Sequence, residues 1–143
     1  MIYVVQFVVA MVATIAFAVL FSVPRKEVVF CGISGALGWI CYYLVMGMGF
    51  GPVPACLVGT FVLTVFSRCM AVIRENPATV YLLTGIFPLV PGAGIYYTAY
   101  YLIIGDNARF SAKGVETLED ALAITFGIIF GFAIPQKLLK KLR

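Results

Sequence analysis

Two prolines and two glycines fall close together in residues 88–94, inside a long stretch without charged side chains. Proline has no backbone N–H and its ring clashes with the carbonyl four residues earlier, so a helix cannot continue through this segment. A second helix that starts at Pro91 would leave the amides of its first turn without intrahelical acceptors, at the positive end of the helix dipole. Such amides bind anions, and glycine leaves them open to a ligand. We therefore predict that a substrate carboxylate binds at Pro88, Pro91, Gly92, Ala93 and Gly94.

Groups on both sides of this interruption could complete the binding site. The helix before it would end with free carbonyls near Thr84, which could accept from a substrate ammonium or coordinate a cation. After it, Tyr97 shares a helix face with Tyr101 and could line the site with hydroxyl groups. Two plainer interpretations stay open: a proline kink packed against neighbouring helices, and tyrosines in the aromatic belt of a membrane interface.

Two acidic residues, Glu119 and Asp120, precede an apolar segment and are candidates for proton coupling. Ionisable groups within a membrane are costly, and in transporters they often relay protons. The alternative is a helix N-terminus, because Thr117-x-x-Asp120 resembles a capping arrangement and acids favour the positive end of the dipole. Arg68, at the end of another apolar segment, would either reach the lipid headgroups or help to attract an anionic substrate.

The elements that hold these groups are expected to lie in a membrane. The chain of 143 residues is 63% hydrophobic and 11% charged, with a mean hydropathy of +1.07, whereas a soluble domain has about 25% charged residues. It contains no histidine, and its four cysteines form no Cys-x-x-Cys pair. We expect no catalytic residue, metal, cofactor or nucleic-acid partner, and we interpret the apolar N-terminus as a retained helix rather than a signal peptide.

Spans of about 20 apolar residues predict a single domain over residues 1–143. Its fold class is all-α, a polytopic membrane helical bundle with about five transmembrane helices. The fourth helix is discontinuous at residues 88–94, and residues 105–116 form a polar loop before the fifth. The predicted helices cover residues 2–22, 28–46, 54–72, 78–104 and 117–138.

Basic residues orient this bundle, because cytoplasmic loops carry an excess of lysine and arginine. With five crossings, eight of the ten basic residues fall on one side of the membrane. Those eight are Arg25, Lys26, Arg68, Arg74, Lys137, Lys140, Lys141 and Arg143, and the other two are Arg109 and Lys113. A re-entrant hairpin at the break would give a weaker division of six to four. We therefore predict one interrupted crossing, with the N-terminus outside and the C-terminus in the cytoplasm.

Small residues recur at helical spacing in two segments. Gly32, Gly35 and Gly38 form one stripe, and Gly127-x-x-x-Gly131 forms another. Such residues let helix backbones approach closely. They predict packing within the bundle, or else a contact with a second copy of the chain or with another protein.

Several of these motifs together resemble a known family. An arginine followed by Asn76-Pro77, a short apolar stretch, Pro88-Leu89-Val90-Pro91-Gly92 and then tyrosines is similar to the threonine/serine exporter (ThrE) family, in its small YjjB-like C-terminal-type subunit. The resemblance extends over nearly the whole chain, including its length, five-segment layout and basic tail. The matching residues Pro88, Pro91 and Gly92 are its most specific part.

The resemblance implies secondary export of small polar metabolites, threonine and serine above all. Export of dicarboxylates such as succinate is the alternative that split-subunit members suggest, and a structural membrane partner without transport activity is another. The resemblance also implies that this chain is part of a transporter of the bacterial cytoplasmic (inner) membrane, completed by a larger YjjP-like membrane subunit.

Overall fold

The computed structural model describes residues 1–140, which form seven α-helices and one 3-10 turn. In chain order these are α1 (Ile2–Leu20), α2 (Val28–Gly47), α3 (Pro52–Arg74), α4 (Ala78–Ile86), the 3-10 turn (Phe87–Leu89), α5 (Gly92–Ile103), α6 (Asn107–Ala133) and α7 (Gln136–Lys140). The predicted all-α bundle of apolar helices is confirmed. Lys141 and Arg143, which count toward the predicted orientation, lie outside the described residues.

Three of these helices, α1 to α3, are long and apolar enough to cross a membrane by themselves. The section from α4 to the 3-10 turn meets α5 at a bend of 55°, and the pair makes a fourth candidate if it forms one crossing. A bend of this size leaves the two halves running in broadly the same direction, whereas a hairpin would reverse the chain. The fifth predicted crossing corresponds to α6, which carries Glu116, Glu119 and Asp120 beside its apolar half and stays a prediction.

Prolines and residues with a positive φ end the first three helices, at positions where the sequence predicts turns. After α1 the chain passes through Ser22, with a φ of 55°, to Pro24. Gly49, with a φ of 88°, reverses the chain between α2 and α3, and Pro52 occupies the first turn of α3. Glu75 ends α3 in the left-handed conformation, with a φ of 56°.

The predicted polar loop over residues 105–116 is wrong, because nearly all of it is helical. Asp106 caps α6 by accepting a hydrogen bond from the Arg109 amide at 3.1 Å, and Lys113 pairs with Glu116 one turn apart at 2.8 Å. Thr117 therefore lies inside the helix and is not a cap, and its hydroxyl donates to the Lys113 carbonyl at 2.7 Å. At the other end Pro135 separates α6 from α7, so the predicted helix over residues 117–138 is interrupted.

Helix α3 lies at the centre of the bundle and packs against α2, α4 and α6. A Cβ at Gly127 would lie 2.7 Å from the Leu57 carbonyl oxygen, and one at Gly131 would lie 2.5 Å from the Thr64 side chain. On the opposite side, a Cβ at Gly59 would lie 2.8 Å from the Gly38 carbonyl oxygen. These glycines bring three helix backbones together, in the way that small residues do in membrane proteins.

The second glycine stripe joins α2 to α1. Gly32 faces Ile15 and Gly35 faces Thr14, with no room at either position for a larger side chain. A hydrogen bond of 2.9 Å from the Trp39 indole to Gln6 connects the same two helices further along. Both stripes are thus occupied within the chain, which confirms the prediction of packing inside the bundle.

Gly127→Ala should destabilise the bundle, because its Cβ would lie 2.7 Å from the Leu57 carbonyl oxygen and 3.1 Å from the Phe61 amide nitrogen. Backbone atoms cannot move aside without separating α3 from α6, and overpacking of this kind costs about 1–3 kcal/mol. Thermal unfolding in detergent, followed by circular dichroism, should show a lower midpoint. Gly51→Ala is the matched control, because nothing lies within 4 Å of a Cβ there and its φ of −74° suits alanine. Equal midpoints for the two variants would contradict the prediction.

Candidate functional site

The interruption of the fourth segment forms where the two prolines predict it. After α4 the chain tightens into the 3-10 turn, and the Val90 amide donates to the carbonyls of Ile86 at 3.2 Å and Phe87 at 3.3 Å. Pro91 then precedes α5 as its N-cap residue, one position earlier than the predicted place in the first helical turn. Pro88 stands four residues after Thr84 and has no N–H, so the Thr84 carbonyl loses its intrahelical donor.

The start of α5 differs in one respect from the predicted anion site. The Gly92 amide donates to the Val90 carbonyl at 2.7 Å, so it is not free. The amides of Ala93 and Gly94 stand in the first turn, where a helix offers no acceptor of its own. A Cβ at Gly92 would meet no atom within 4 Å, which leaves this backbone open to a ligand, whereas Gly94 packs directly against Thr117 of α6.

Two predicted site residues lie in different surroundings and are not brought together. Thr84 is buried, and its hydroxyl donates to the carbonyls of Val80 at 2.9 Å and Tyr81 at 3.3 Å. Tyr97 is exposed and stacks on Tyr101, with ring centroids 6.4 Å apart. Helix α5 has no buried residue among its twelve, and Tyr96, Tyr97 and Tyr100 are exposed on its surface.

The two acidic candidates are also separated, because neighbouring residues on a helix point in different directions. Glu119 is exposed, but Asp120 is only 9% exposed and lies at the midpoint of the 27-residue α6. Within residues 1–140, no hydrogen-bond partner reaches its buried Oδ1 atom. The side chains of Tyr42 in α2 and Cys56 in α3 lie close enough to interact electrostatically with Asp120. A buried carboxylate oxygen without a hydrogen-bond partner makes the ionised form costly, so a proton or a cation would be stabilised at Asp120.

The break and Asp120 border the same part of the bundle. Ile86 and Leu89, on either side of Pro88, pack in one apolar cluster with Tyr42, which also packs near Cys56. Gly94, at the start of α5, contacts Thr117 of α6. Thr117 precedes Asp120 by three residues, which is less than one helical turn. The structure thus brings the predicted carboxylate-binding segment and the predicted proton-coupling residue into one region.

Arg68 has a role that neither sequence-based interpretation identified. Its Nη1 atom donates to the carbonyls of Gly131 and Ile134, each at 2.7 Å, and of Phe132 at 3.2 Å. The guanidinium also lies 5.4 Å from the centroid of the Phe132 ring. Arg68 therefore satisfies carbonyls at the end of α6, where a helix leaves its last acceptors unpaired. Pro135 is the sequence signal that could have predicted a donor here, because a proline leaves the carbonyls of the preceding helical turn without intrahelical N–H partners.

A second group of charged residues, with the buried Glu27 at its centre, joins three segments that are distant in the sequence. Glu27, only 5% exposed, accepts from Arg74 at 2.8 Å and from the Tyr81 hydroxyl at 2.7 Å. Arg74 also stacks over the Phe30 ring at 4.7 Å, and Asn76 donates to the Arg74 carbonyl at 3.1 Å. Their hydrogen bonds connect the end of α3 and the start of α4 to the residue before α2. Sequence distance hides this cluster, since 47 residues separate Glu27 from Arg74.

The charge of Glu27 is stabilised by its partners. Hydrogen bonds from Arg74 hold the pKa of this carboxyl below its ordinary value of 4.5; burial opposes the shift, and the bond from Tyr81 supports it. The ionised form of Glu27 is thus the form that the folded protein favours.

A bundle of apolar helices with an interrupted helix beside a buried acid has the architecture of an integral membrane transport protein. The chain belongs to the threonine/serine exporter (ThrE) family, whose sequence profile matches residues 6–134. The resemblance inferred from the Pro-Leu-Val-Pro-Gly segment is thereby confirmed. The family is one of membrane exporters of the threonine/serine type and not a class of enzymes.

One curated relative is much longer than the region that this chain matches. A protein of Mycobacterium tuberculosis (strain ATCC 25618 / H37Rv), named probable threonine/serine exporter, is 24% identical over 109 residues. The match covers 76% of this chain and 21% of the relative. No solved structure matches the chain at a comparable level of significance.

Glu27→Gln should lower the stability of the bundle at neutral pH, because it removes the charge that Arg74 and Tyr81 bind. The contribution of ionised Glu27 is fully present above the ordinary pKa of 4.5 and is lost as the pH falls through the lower pKa of the folded state. Thermal midpoints measured in detergent from pH 7 downward should therefore decline less for the variant than for the wild type. Glu116→Gln is the control, because its pair with Lys113 is exposed and contributes little. Identical pH profiles for Glu27→Gln and wild type would contradict the assignment.

Proposed function

We propose that this chain is one subunit of a secondary transporter that exports small carboxylate-bearing metabolites, with threonine and serine as its substrates. The observation that carries the proposal is the interrupted helix at residues 88–94, which lies beside the buried carboxylate of Asp120. Membership of the threonine/serine exporter family supports the same conclusion.

The substrate carboxylate would bind at the start of α5. There the amides of Ala93 and Gly94 carry the positive end of the helix dipole, and Gly92 leaves the backbone open. Transporters with discontinuous helices bind substrate carboxylates in this manner. Pro88 and Pro91 contribute by interrupting the helix, so that the binding groups are backbone amides with fixed positions. Thr84 and Tyr97 are left out of this site, since the Thr84 hydroxyl is buried and bonded to carbonyls of its own helix and Tyr97 is exposed.

Asp120 would couple export to the proton gradient. Its Oδ1 atom is buried without a hydrogen-bond partner among the described residues, so protonation removes the cost of burying the charge. Substrate binding at the neighbouring start of α5 and proton binding at Asp120 would then influence one another through the shared cluster around Tyr42. Glu119, which is exposed, has no such role.

The path through the membrane would be completed by a second polypeptide. The chain covers 21% of its M. tuberculosis relative, so most of that longer protein has no counterpart here. Alternating access usually needs two bundles that move around a shared site, and the larger YjjP-like subunit would supply the second. In the proposed orientation, α1 starts outside and the basic C-terminal end faces the cytoplasm.

Gly92→Leu should abolish export, because the leucine side chain would fill the proposed carboxylate site. The fold should be undisturbed, because a Cβ at Gly92 meets no atom within 4 Å. Everted membrane vesicles that contain this chain and the larger subunit should accumulate radiolabelled L-threonine, and vesicles with either polypeptide alone should not. Vesicles with Gly92→Leu should match empty vesicles, and Gly51→Leu, at another glycine where a Cβ would meet no atom within 4 Å, should match the wild type. Normal accumulation with Gly92→Leu would rule out the proposed site.

Asp120→Asn should remove the dependence of transport on the proton gradient. With an imposed pH difference, threonine accumulation in everted vesicles should fall to the level without a gradient, whereas threonine–threonine exchange should continue. Exchange tests whether the substrate path is intact, because it requires no net proton movement. Glu119→Gln changes the adjacent exposed acid and should transport normally. Gradient-driven accumulation by Asp120→Asn at the wild-type rate would exclude the coupling role.

A further inference from the structure

An open groove of about 540 Å³ lies between the end of α1 and helix α4. Most of its lining is apolar, and the Thr84 hydroxyl that borders it is already bonded to carbonyls of its own helix. Phe21 and Leu83 are 50% and 60% exposed, so the groove opens on the outer surface of the bundle, where lipid surrounds an integral membrane protein. Its apolar side chains are Phe21, Val23, Pro24, Val80, Leu83 and Phe87.

Two basic residues follow this lining directly in the chain. Pro24 borders the groove, and Arg25 and Lys26 come next, both exposed. The backbone is anchored on both sides of them. Val23 packs against the core before them, and the buried Glu27 after them donates its amide to the Pro24 carbonyl at 2.8 Å. Two positive charges are therefore held at one end of the groove.

Neighbouring acids do not neutralise these two charges. Among the residues that the structure describes, neither Arg25 nor Lys26 forms an ion pair or a side-chain hydrogen bond. The adjacent acid, Glu27, is paired with Arg74 at 2.8 Å, so its charge is already balanced. Because Arg25 and Lys26 follow an apolar helix long enough to cross a membrane, they lie at the level of the lipid headgroups.

A second apolar cavity, of about 620 Å³ between α5 and α6, differs in its charges. Arg109 and Lys113 each precede a residue that lines this cavity. Arg109 is paired with Asp106 at 3.5 Å. Lys113 is paired with Glu116 at 2.8 Å. Of the two apolar sites, the groove beside α1 is thus the one that ends at unpaired basic residues.

Apolar surface that ends at unpaired positive charge fits a molecule with an apolar chain and an anionic head. We propose that an anionic phospholipid binds here, with one acyl chain in the groove and its phosphate against Arg25 and Lys26. Lipid tails are as apolar as the groove, so the acyl chain gains little by leaving the bilayer. The preference for this lipid therefore comes from its charged headgroup.

The bound acyl chain would also contact the interruption of the fourth segment. Phe87 borders the groove and is the first residue of the 3-10 turn, immediately before Pro88. Its ring stacks on Phe17 of α1, with centroids 4.4 Å apart, and lies 5.3 Å from the Phe21 centroid. The lipid would thus lie against the aromatic contact that joins α1 to the break. No transported substrate takes part, so this site is independent of the proposed export function.

Native mass spectrometry of the detergent-solubilised full chain tests the proposal by measuring bound lipid. Dioleoyl phosphatidylglycerol and dioleoyl phosphatidylcholine have the same acyl chains, but only phosphatidylglycerol has a net negative charge. It should bind about 10- to 30-fold more tightly, because each Lys or Arg near a lipid headgroup contributes about 5-fold. Glycerol 1-phosphate, which has the phosphate without acyl chains, should not displace it at equal concentration.

Paired charge substitutions distinguish a local site from attraction to any positive surface. Arg25→Gln combined with Lys26→Gln should abolish the preference for phosphatidylglycerol. Arg109→Gln combined with Lys113→Gln is the matched control, because it removes the same charge beside the other apolar cavity and should keep the preference. Equal loss of preference in the two double variants would overturn the site.

Filling the groove tests the position of the acyl chain. Thr79 borders the groove, is exposed, and makes no side-chain hydrogen bond within residues 1–140. Thr79→Phe should therefore weaken phosphatidylglycerol binding about 10-fold by steric overlap. Ala99→Phe, in the cavity between α5 and α6, is the control and should bind as the wild type does. Circular dichroism should show the same helix content in both variants.

Three further results would each contradict the lipid site. They are equal affinity of the wild type for the two lipids, unchanged phosphatidylglycerol binding in Thr79→Phe, and binding of glycerol 1-phosphate as tight as that of phosphatidylglycerol. The last result would indicate a site for phosphate alone. If Thr79→Phe loses helix content, the two double variants still decide the outcome, because exposed Arg25 and Lys26 have no described bond to lose.

Discussion

The close approach of α6 to α3 is the contact on which the other features of this bundle depend. Gly127 and Gly131 let the α6 backbone lie against Leu57 and Thr64, at distances that exclude even a methyl group. This approach places Asp120 beside the start of α3 and brings the end of α6 within reach of Arg68. Because α5 packs on α6 and not on the α1–α3 core, the same contact also positions the open start of α5. Gly127 and Gly131 thereby determine where Asp120 lies and where the end of α6 meets Arg68.

A second constraint concerns polar groups in an apolar bundle. Thr60 and Thr64 point toward α6, and each hydroxyl donates to a carbonyl of its own helix at 2.7 Å. Arg68 satisfies the carbonyls at the end of α6, and the 3-10 turn uses the Val90 amide to satisfy the end of α4. Unpaired polar groups in hydrocarbon cost several kcal/mol. Against this background, the buried Oδ1 of Asp120 is an exception, because no hydrogen-bond partner reaches it among the described residues.

Local chemistry explains which parts of the fold could be predicted from the sequence. Pro88 and Pro91 cannot continue a helix in any surroundings, so the interruption follows from their covalent structure alone. The glycine stripes were likewise predictable, because their spacing repeats with the helix. The charged residues between 106 and 116 favour a loop, so the sequence predicts a later start for α6, although Asp106 is a good N-cap residue.

The candidate site was harder to predict, because it depends on contacts between distant segments. Helical periodicity could have separated Glu119 from Asp120, since Asp120 shares a face with Ala123, Ile124 and Gly127. No local signal places Thr84 inside the core and Tyr97 on the surface, although both flank the same break. The partners of Glu27 lie 47 and 54 residues away and those of Arg68 lie 63 to 66 residues away, so only the assembled bundle reveals them.

The hydrogen bond between Trp39 and Gln6 provides this protein with an intrinsic optical reporter. Trp39 is the single tryptophan of the chain, so every change in indole emission comes from one place between α1 and α2. A hydrogen-bonded indole in an apolar environment and a hydrated one emit at different wavelengths. Separation of the first two helices could therefore be followed in real time and without a label, in native lipid and beside a partner chain whose own tryptophans have been replaced.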